Sequence, residues 1–301
     1  PPNVGMALRD HVLYGEHSQY HRKLGPRGAR RTSARELLAA WRQVQGYAVE
    51  IGYVGREAPT AVAGAVERRL RFAGALKPAV PHVVYPRHVA PETTIYFVPR
   101  RDAVQTQLWF AVEGEPVPAG ELAAADAFSE YFGGSMAGLV FQEVREFRAL
   151  AYAASARFAR DEEPGQRGHL VGHVGCQADK AFDVLDVMVG LITKMPERGD
   201  RLELVRSTLL RGQETESPSF RELQDKLRDW QILGYSQDPR RELLPAYAAL
   251  DFADIVGFYR RYVAGRPLAI MIVGDPRKTD PERLRKYGKL VKLREGALYS
   301  K

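Results

Sequence analysis

Phe132-Gly-Gly-Ser-Met-Ala-Gly-Leu-Val-Phe-Gln-Glu-Val-Arg145-Glu-Phe-Arg-Ala-Leu-Ala-Tyr152 is the stretch whose reading decides the fold of this chain. Gly133 and Gly134 follow the apolar-periodic run from Leu122 to Phe132 and give that helix its stop. Ser135 is placed to cap a second helix, in which Leu139, Val140, Val144 and Phe147 recur at helical spacing while Glu143 and Arg145 project from other faces. After Leu150 the pattern turns to small and aromatic residues, Tyr152-Ala-Ala-Ser-Ala-Arg-Phe-Ala, which reads as a strand. Arg145 therefore sits late on a helix and Tyr152 opens a strand. A guanidinium donates hydrogen bonds in a rigid fork and a phenol adds one more, a set suited to holding a peptide carbonyl or its oxyanion. The same residues also read as a surface arginine paired with Glu143 or Glu146 and a tyrosine packed at a strand end.

Working outward, Thr93 to Glu113 predicts two strands, and Glu115 to Gly120 a Pro- and Gly-rich turn before the first helix. Gly168 to Asp179 predicts a strand whose end caps a helix over Lys180 to Lys194, with Phe182, Leu185, Val189 and Ile192 as its apolar stripe. Helices follow to about residue 264, interrupted at Ser217-Pro-Ser-Phe, and Ile270-Met-Ile-Val-Gly-Asp275 is a buried strand with its exit turn. Strands and helices segregated in runs give an α+β fold, a mostly antiparallel sheet layered by helices. Toward the start, Ala34 to Val44 predicts a helix capped near Ser33, Tyr47 to Gly55 a strand, and Pro59 to Phe72 another helix. Pro78, Pro81, Pro86 and Pro91 then mark a semi-rigid connector. The expected division is residues 1–76 as the closing part of one α+β domain, 77–91 as a Pro-rich linker, and 92–301 as a second domain.

The run from Tyr131 to Tyr152 closely resembles the C-terminal halves of the pitrilysin and insulinase metallopeptidases, the family of insulysin and the mitochondrial processing peptidases. The resemblance extends over roughly residues 92 to 275 and is most specific between about 128 and 180. It implies that 1–76 closes a preceding domain of similar fold. It also implies that Arg145 and Tyr152, at the family's seven-residue offset, bind the substrate backbone opposite a zinc ion held by the other half, with Gly133 and Gly134 shaping a turn that faces the chamber. The implied function is the C-terminal portion or subunit of a zinc metalloendopeptidase acting on peptide or unfolded polypeptide. A non-catalytic scaffold or peptide-binding subunit of the same fold is the alternative.

Zinc itself is expected only in a companion half or partner subunit. The family binds it through His-x-x-Glu-His, two ligands one helical turn apart with the Glu as base. His17-Ser-Gln-Tyr-His21 and His169-Leu-Val-Gly-His173 reproduce the spacing, but Tyr20 and Gly172 stand where the base belongs. The second pair lies in a strand-like run, whose rise of about 3.3 Å per residue sets the rings too far apart to chelate. No third ligand is legible, whereas catalytic zinc takes three. No catalytic or metal-binding residue is assigned to this chain alone, which is expected to be inactive by itself.

Composition narrows the classes further. With 301 residues, 45% of them hydrophobic, the chain can bury one large or two modest cores. The longest apolar runs, such as Val184 to Ile192, fall far short of the roughly 20 residues of a membrane span. The first residue is Pro and no signal-like segment follows, so a processed or truncated start is expected and the compartment, cytoplasmic or periplasmic, stays open. A single cysteine, Cys176, rules out an internal disulfide. The net charge of +7 concentrates in Arg22 to Arg35 and Arg283 to Arg294, but apart from Tyr287 these runs lack the interleaved aromatics of a stacking platform, so no nucleic-acid partner is expected. A solvated loop or an acidic companion accounts for them.

Overall fold

The computed structural model describes residues 4–70, 75–80, 83–101, 103–160, 166–215 and 218–300. Arg71, Phe72, Pro81 and Ser217, which enter the sequence reading above, lie outside the described residues. The first elements are helical: α1 (Val4–Tyr14), the short α2 (Gln19–Arg22) and α3 (Pro26–Arg31), α4 (Ala34–Val44) and α5 (Pro59–Arg69). Ser33 and Glu36 form a capping box at the start of α4, satisfying two end donors reciprocally. The strand expected over Tyr47 to Gly55 is absent. Among the described residues only Tyr47 bridges, to Lys77, and Val49, Ile51 and Tyr53 remain exposed, with no described strand taking up their backbone groups.

Strands β1 (Thr94–Pro99) and β2 (Gln105–Pro116) follow, then α6 (Leu122–Ser129), which runs on as a π-helical turn to Gly134, and α7 (Leu139–Phe141), which continues as a π-helical turn through Glu146. Next come β3 (Ala151–Ala159), β4 (Arg167–Gln177), α8 (Ala181–Thr193), α9 (Leu202–Thr215), α10 (Leu223–Ile232), α11 (Arg240–Ala249), α12 (Phe252–Tyr262), β5 (Ala269–Gly274), α13 (Pro281–Leu284) and β6 (Lys289–Lys292). Ser135 does not cap α7 as expected. Gly138 holds the N-cap position, and the Ser135 hydroxyl instead accepts from Ala137 N within the turn. Asp179 likewise leaves the capping of α8 to Lys180, which contributes no side-chain bond.

The six strands form one sheet in the order β3-β4-β2-β5-β1-β6. The β3–β4, β4–β2 and β2–β5 pairs are antiparallel, while β5–β1 and β1–β6 are parallel, so the fold is α+β with a mostly antiparallel sheet. One face carries the main core, where Leu108, Phe110, Leu170 and Val174 meet Phe128, Val144, Leu185 and Phe258. The other face is covered over β1, β2 and β5 by Ala7, Leu8 and Val12 of α1, packed on Val98, Ala111 and Met271. That same face stays exposed on β3 at Ala153, Ser155 and Arg157.

Helix α4 matches α12 in its cap and its apolar spacing. Each has 11 residues and a capping box, and each precedes an apolar run ending in Val-Gly. In α12 the apolar stripe is buried on the sheet, with Ile255 at 0%, Tyr259 at 7% and Tyr262 at 0% exposure. The matching Leu37, Trp41 and Val44 of α4 are 61%, 61% and 62% exposed. A stripe built for burial but left open contributes nothing to this fold. Ile255→Ala should therefore cost about 2–5 kcal/mol, and Leu37→Ala less than about 0.5 kcal/mol, as read from urea unfolding of the full chain. A loss at Leu37 equal to that at Ile255 would show that α4 is covered.

Near α1, His11 Nδ1 lies 3.0 Å from His21 Nε2. Burial, then the charges of His21 and His88, hold His11 below the usual imidazole value. Its folded pKa is lowered, so the unfolded chain takes up the proton first and the stabilisation present above the unfolded value is lost as pH falls. Stability should drop on acidification below about pH 6.5, and thermal melts of His11→Gln should show a shallower drop. An equal slope in the variant would refute this.

Candidate functional site

Tyr152 is the extra residue of a bulge. Ala151 pairs with Cys176 and Ala153 with Gly175, so the register shifts across it and the strand bends there. The bulge sits on β3, the edge strand of the sheet, and Tyr152 is 84% exposed. Arg145 lies on the π-helical turn that ends the preceding helix. The link between them is short and held: Ala149 N donates to Arg145 O at 3.0 Å and Leu150 N to Val144 O at 2.9 Å. Ala149 takes a left-handed backbone (φ 48°), a conformation that glycine usually fills at helix ends.

The structure brings the two sequence-selected residues together. The Arg145 guanidinium carbon is 5.1 Å from the centre of the Tyr152 ring and 4.7 Å from that of Phe141, both within cation–π reach. Phe141 went unrecognised in the sequence, although it stands one helical turn before Arg145 and so on the same face. The other contact is an exposed ion pair of Arg145 Nε with Glu146 Oε1 at 3.6 Å, a kind worth about 0–1 kcal/mol and readily exchanged for a ligand. Glu143 does not pair with Arg145. It is buried and bonded to Arg198 at 2.7 Å and Arg148 at 3.2 Å.

The loop before α9 fixes this helix from below. The Tyr131 hydroxyl donates to Pro196 O (2.6 Å) and accepts from Arg198 N (2.9 Å), and Arg201 donates to Ala137 O (2.9 Å). Nothing local in the sequence signals these three contacts, because each partner lies some 65 residues away. Gly133 is buried with an extended backbone, and a Cβ there would meet Ala156 N at 2.8 Å and Ala156 O at 2.9 Å. Gly134 is exposed at the end of the turn. Gly133→Ala should therefore cost about 1–3 kcal/mol through overpacking. A melting temperature equal to wild type would show that the turn can move off the strand.

The other candidates are dispersed. His169 and His173 share one face of β4, but His173 bonds Gln107 at 2.8 Å and packs on Trp109, with ring centroids 4.2 Å apart. His17 stacks on Tyr85 while His21 turns to His11, so that pair diverges. Among the described residues no group of three His, Cys, Asp or Glu could hold a metal ion, and these histidines do not fit a catalytic zinc. Cys176 is buried and its thiol is pushed up to about 12, mainly by desolvation, which leaves it inert as nucleophile or ligand. A cleft of about 940 Å³ opens at the far end of β3, bordered by Asp126, Arg157, Arg160 and Tyr235, away from Tyr152. Among the described residues no helix is long and apolar enough to cross a membrane.

Comparison with known proteins gives a consistent picture. The family model described as the Peptidase M16 inactive domain matches residues 49–203, just over half of the chain. No curated protein matches the sequence. Among solved structures, the peptidase M16 inactive domain from Pseudomonas fluorescens superimposes with a TM-score of 0.68 at 19% identity, covering 91% of this chain and 65% of that one. A conserved protein from Enterococcus faecalis gives 0.68 at 16%, covering 91% and 64%. A ferredoxin protease in complex with Arabidopsis ferredoxin gives 0.63 at 13%, covering 90% and 29%. The chain spans less than two thirds of the length of these proteins, and at such identities the likeness establishes the fold.

Proposed function

The chain belongs to the peptidase M16 family, matched through its inactive domain, and on that premise we propose that it grips the peptide backbone for a zinc metalloendopeptidase whose metal site lies in another segment or chain. The observation that carries this reading is the exposed Arg145–Tyr152 pair, held side by side by cation–π contact and a closed helix end. Two cationic or phenolic donors at one point of the surface suit a carbonyl oxygen, and they favour it more as negative charge develops there. The companion's zinc and base supply the activated water. This chain's part is to hold and polarise the scissile carbonyl or one beside it. Gly133 and Gly134 shape the turn beside the grip. Residues 1–76 are read as the closing part of a preceding domain, consistent with the open stripe of α4, with α1 at their start packed on the sheet of the gripping domain, 92–301, and 77–91 as the linker.

The substrate class is peptide or unfolded polypeptide, and the likeness to a protease captured with a ferredoxin supports a protein-derived substrate. A second reading, a peptide-binding subunit without catalysis, is favoured by the matched model being the inactive domain. In both readings the chain by itself cleaves nothing.

Mixed with a purified zinc-bearing M16 chain from the same cell, Arg145→Ala and Tyr152→Phe should each lower kcat/KM toward an unstructured peptide by about tenfold to a hundredfold, with unchanged melting temperature. Wild-type kinetics in both variants would count against the grip. Peptide binding without cleavage by the wild-type mixture would select the second reading. Chelator-sensitive cleavage by the pure chain would overturn both.

A further inference from the structure

The cleft at the far end of β3 combines an apolar lining with charges of both signs. Its volume of about 940 Å³ lies in the upper part of the range usual for small-molecule sites. Pro116, Val117, Leu122 and Leu233 supply apolar surface. Behind one wall a hydrogen-bonded chain runs outward from the core: buried Tyr247 donates to Asp126 Oδ2 at 2.7 Å, and Asp126 Oδ1 holds Arg160 Nη2 at 3.3 Å. Burial and then the charge of Asp126 push the Tyr247 phenol up, so it remains a donor. Asp126 is thus fixed from below and orients Arg160. A guanidinium has five N–H donors, and among the described residues Arg160 bonds nothing besides Asp126. Arg157 borders the same cleft as a second cation and makes no ion pair among the described residues.

Glu242 brings a carboxylate to the cleft from α11. Among the described residues it pairs with no cation. Tyr247 follows five residues later on the same helix, which sets Glu242 about 7.5 Å along the axis from the tyrosine that anchors Asp126 and Arg160. A ligand of one charge would be attracted at Arg160 and repelled at Glu242, or the reverse. A zwitterion with an apolar body satisfies both. A dipeptide or tripeptide spans at most about 7–11 Å, which matches that separation. The side chains of Gln166 and Ser236, which form no hydrogen bond among the described residues, can serve its amide groups.

We propose that this cleft binds an apolar dipeptide or tripeptide with both termini free, its carboxylate on Arg160 and its ammonium on Glu242. The site is separate from the grip, because Arg160 stands eight residues beyond Tyr152, roughly 26 Å along a strand. It does not depend on the peptide-gripping reading above.

The test titrates the full chain by calorimetry with the tripeptide Ala-Val-Leu, its C-terminal amide and its N-acetyl form. Each block removes one charge and should weaken binding about tenfold. Arg160→Gln should weaken binding of the free tripeptide about tenfold and leave it no better than the amide, and Glu242→Gln should do the same with respect to the N-acetyl form. Tyr247 still holds Asp126 in Arg160→Gln, so the fold should persist; if it does not, the two blocked peptides on the wild-type chain decide. Equal affinity for the free tripeptide and either blocked form overturns the proposal. So does discrimination that survives the matching substitution, or no binding by the wild-type chain at millimolar peptide. Unchanged binding in Arg145→Ala supports a separate site, whereas its loss there would move the peptide to the grip and overturn the proposal.

Discussion

The close approach of the Gly133 backbone to Ala156 is the contact on which the rest of the site depends. A glycine is needed there for space, because its backbone is extended and any residue could adopt it. Gly138 meets the same demand from the other end of the turn: a Cβ on it would fall 2.6 Å from the Gly133 Cα. With both side chains absent, the chain folds back under the edge strand within a few residues. The helix that follows then lies on the core face, and Arg145 arrives beside the bulge that exposes Tyr152.

Packing turns that short path into a rigid one. Val140 and Val144 anchor the helix in the main core, and Arg198 and Arg201 fasten Glu143 and the Ala137 carbonyl from a loop that is distant in sequence. Buried Glu143 is neutralised by two arginines, so it is a structural acid and is not placed to act as a base. Among the described residues, the exposed end of this assembly carries weak intramolecular bonds, the Glu146 pair and the two ring contacts of Arg145. Strong support beneath weakly engaged donors is the arrangement expected of a binding group that must meet its ligand without reorganising.

Much of this was legible in the sequence where local physics dominates. The Gly133-Gly134 stop, the apolar stripe of α8, the Ser33 cap of α4 and the small-residue strand containing Tyr152 all follow from periodicity and end chemistry. What escaped depends on partners far along the chain. Val49 to Val54 has the composition of a strand, as β5 does, but a strand forms only where a neighbour accepts its backbone, and β5 has β1 and β2 while Val49 to Val54 has no strand partner among the described residues. Conversely, β6 hides within the basic run Arg283 to Arg294 because its lysines lie at a sheet edge in solvent. Ser135 resembles a helix cap in sequence, yet the glycine-led turn delays the helix by three residues and moves the cap to Gly138. Phe141 escaped because its role is set by where the Arg145 side chain goes.

The central claim is that Arg145 and Tyr152 together receive a peptide carbonyl. It is tested most directly by carbon NMR of an unstructured peptide labelled at successive backbone carbonyls and titrated with the full chain. One carbonyl resonance should move downfield on binding, as hydrogen bonds polarise it, and part of that shift should vanish with Tyr152→Phe and the remainder with Arg145→Ala. Binding that leaves every carbonyl unshifted, or a shift that survives both substitutions, would contradict the account.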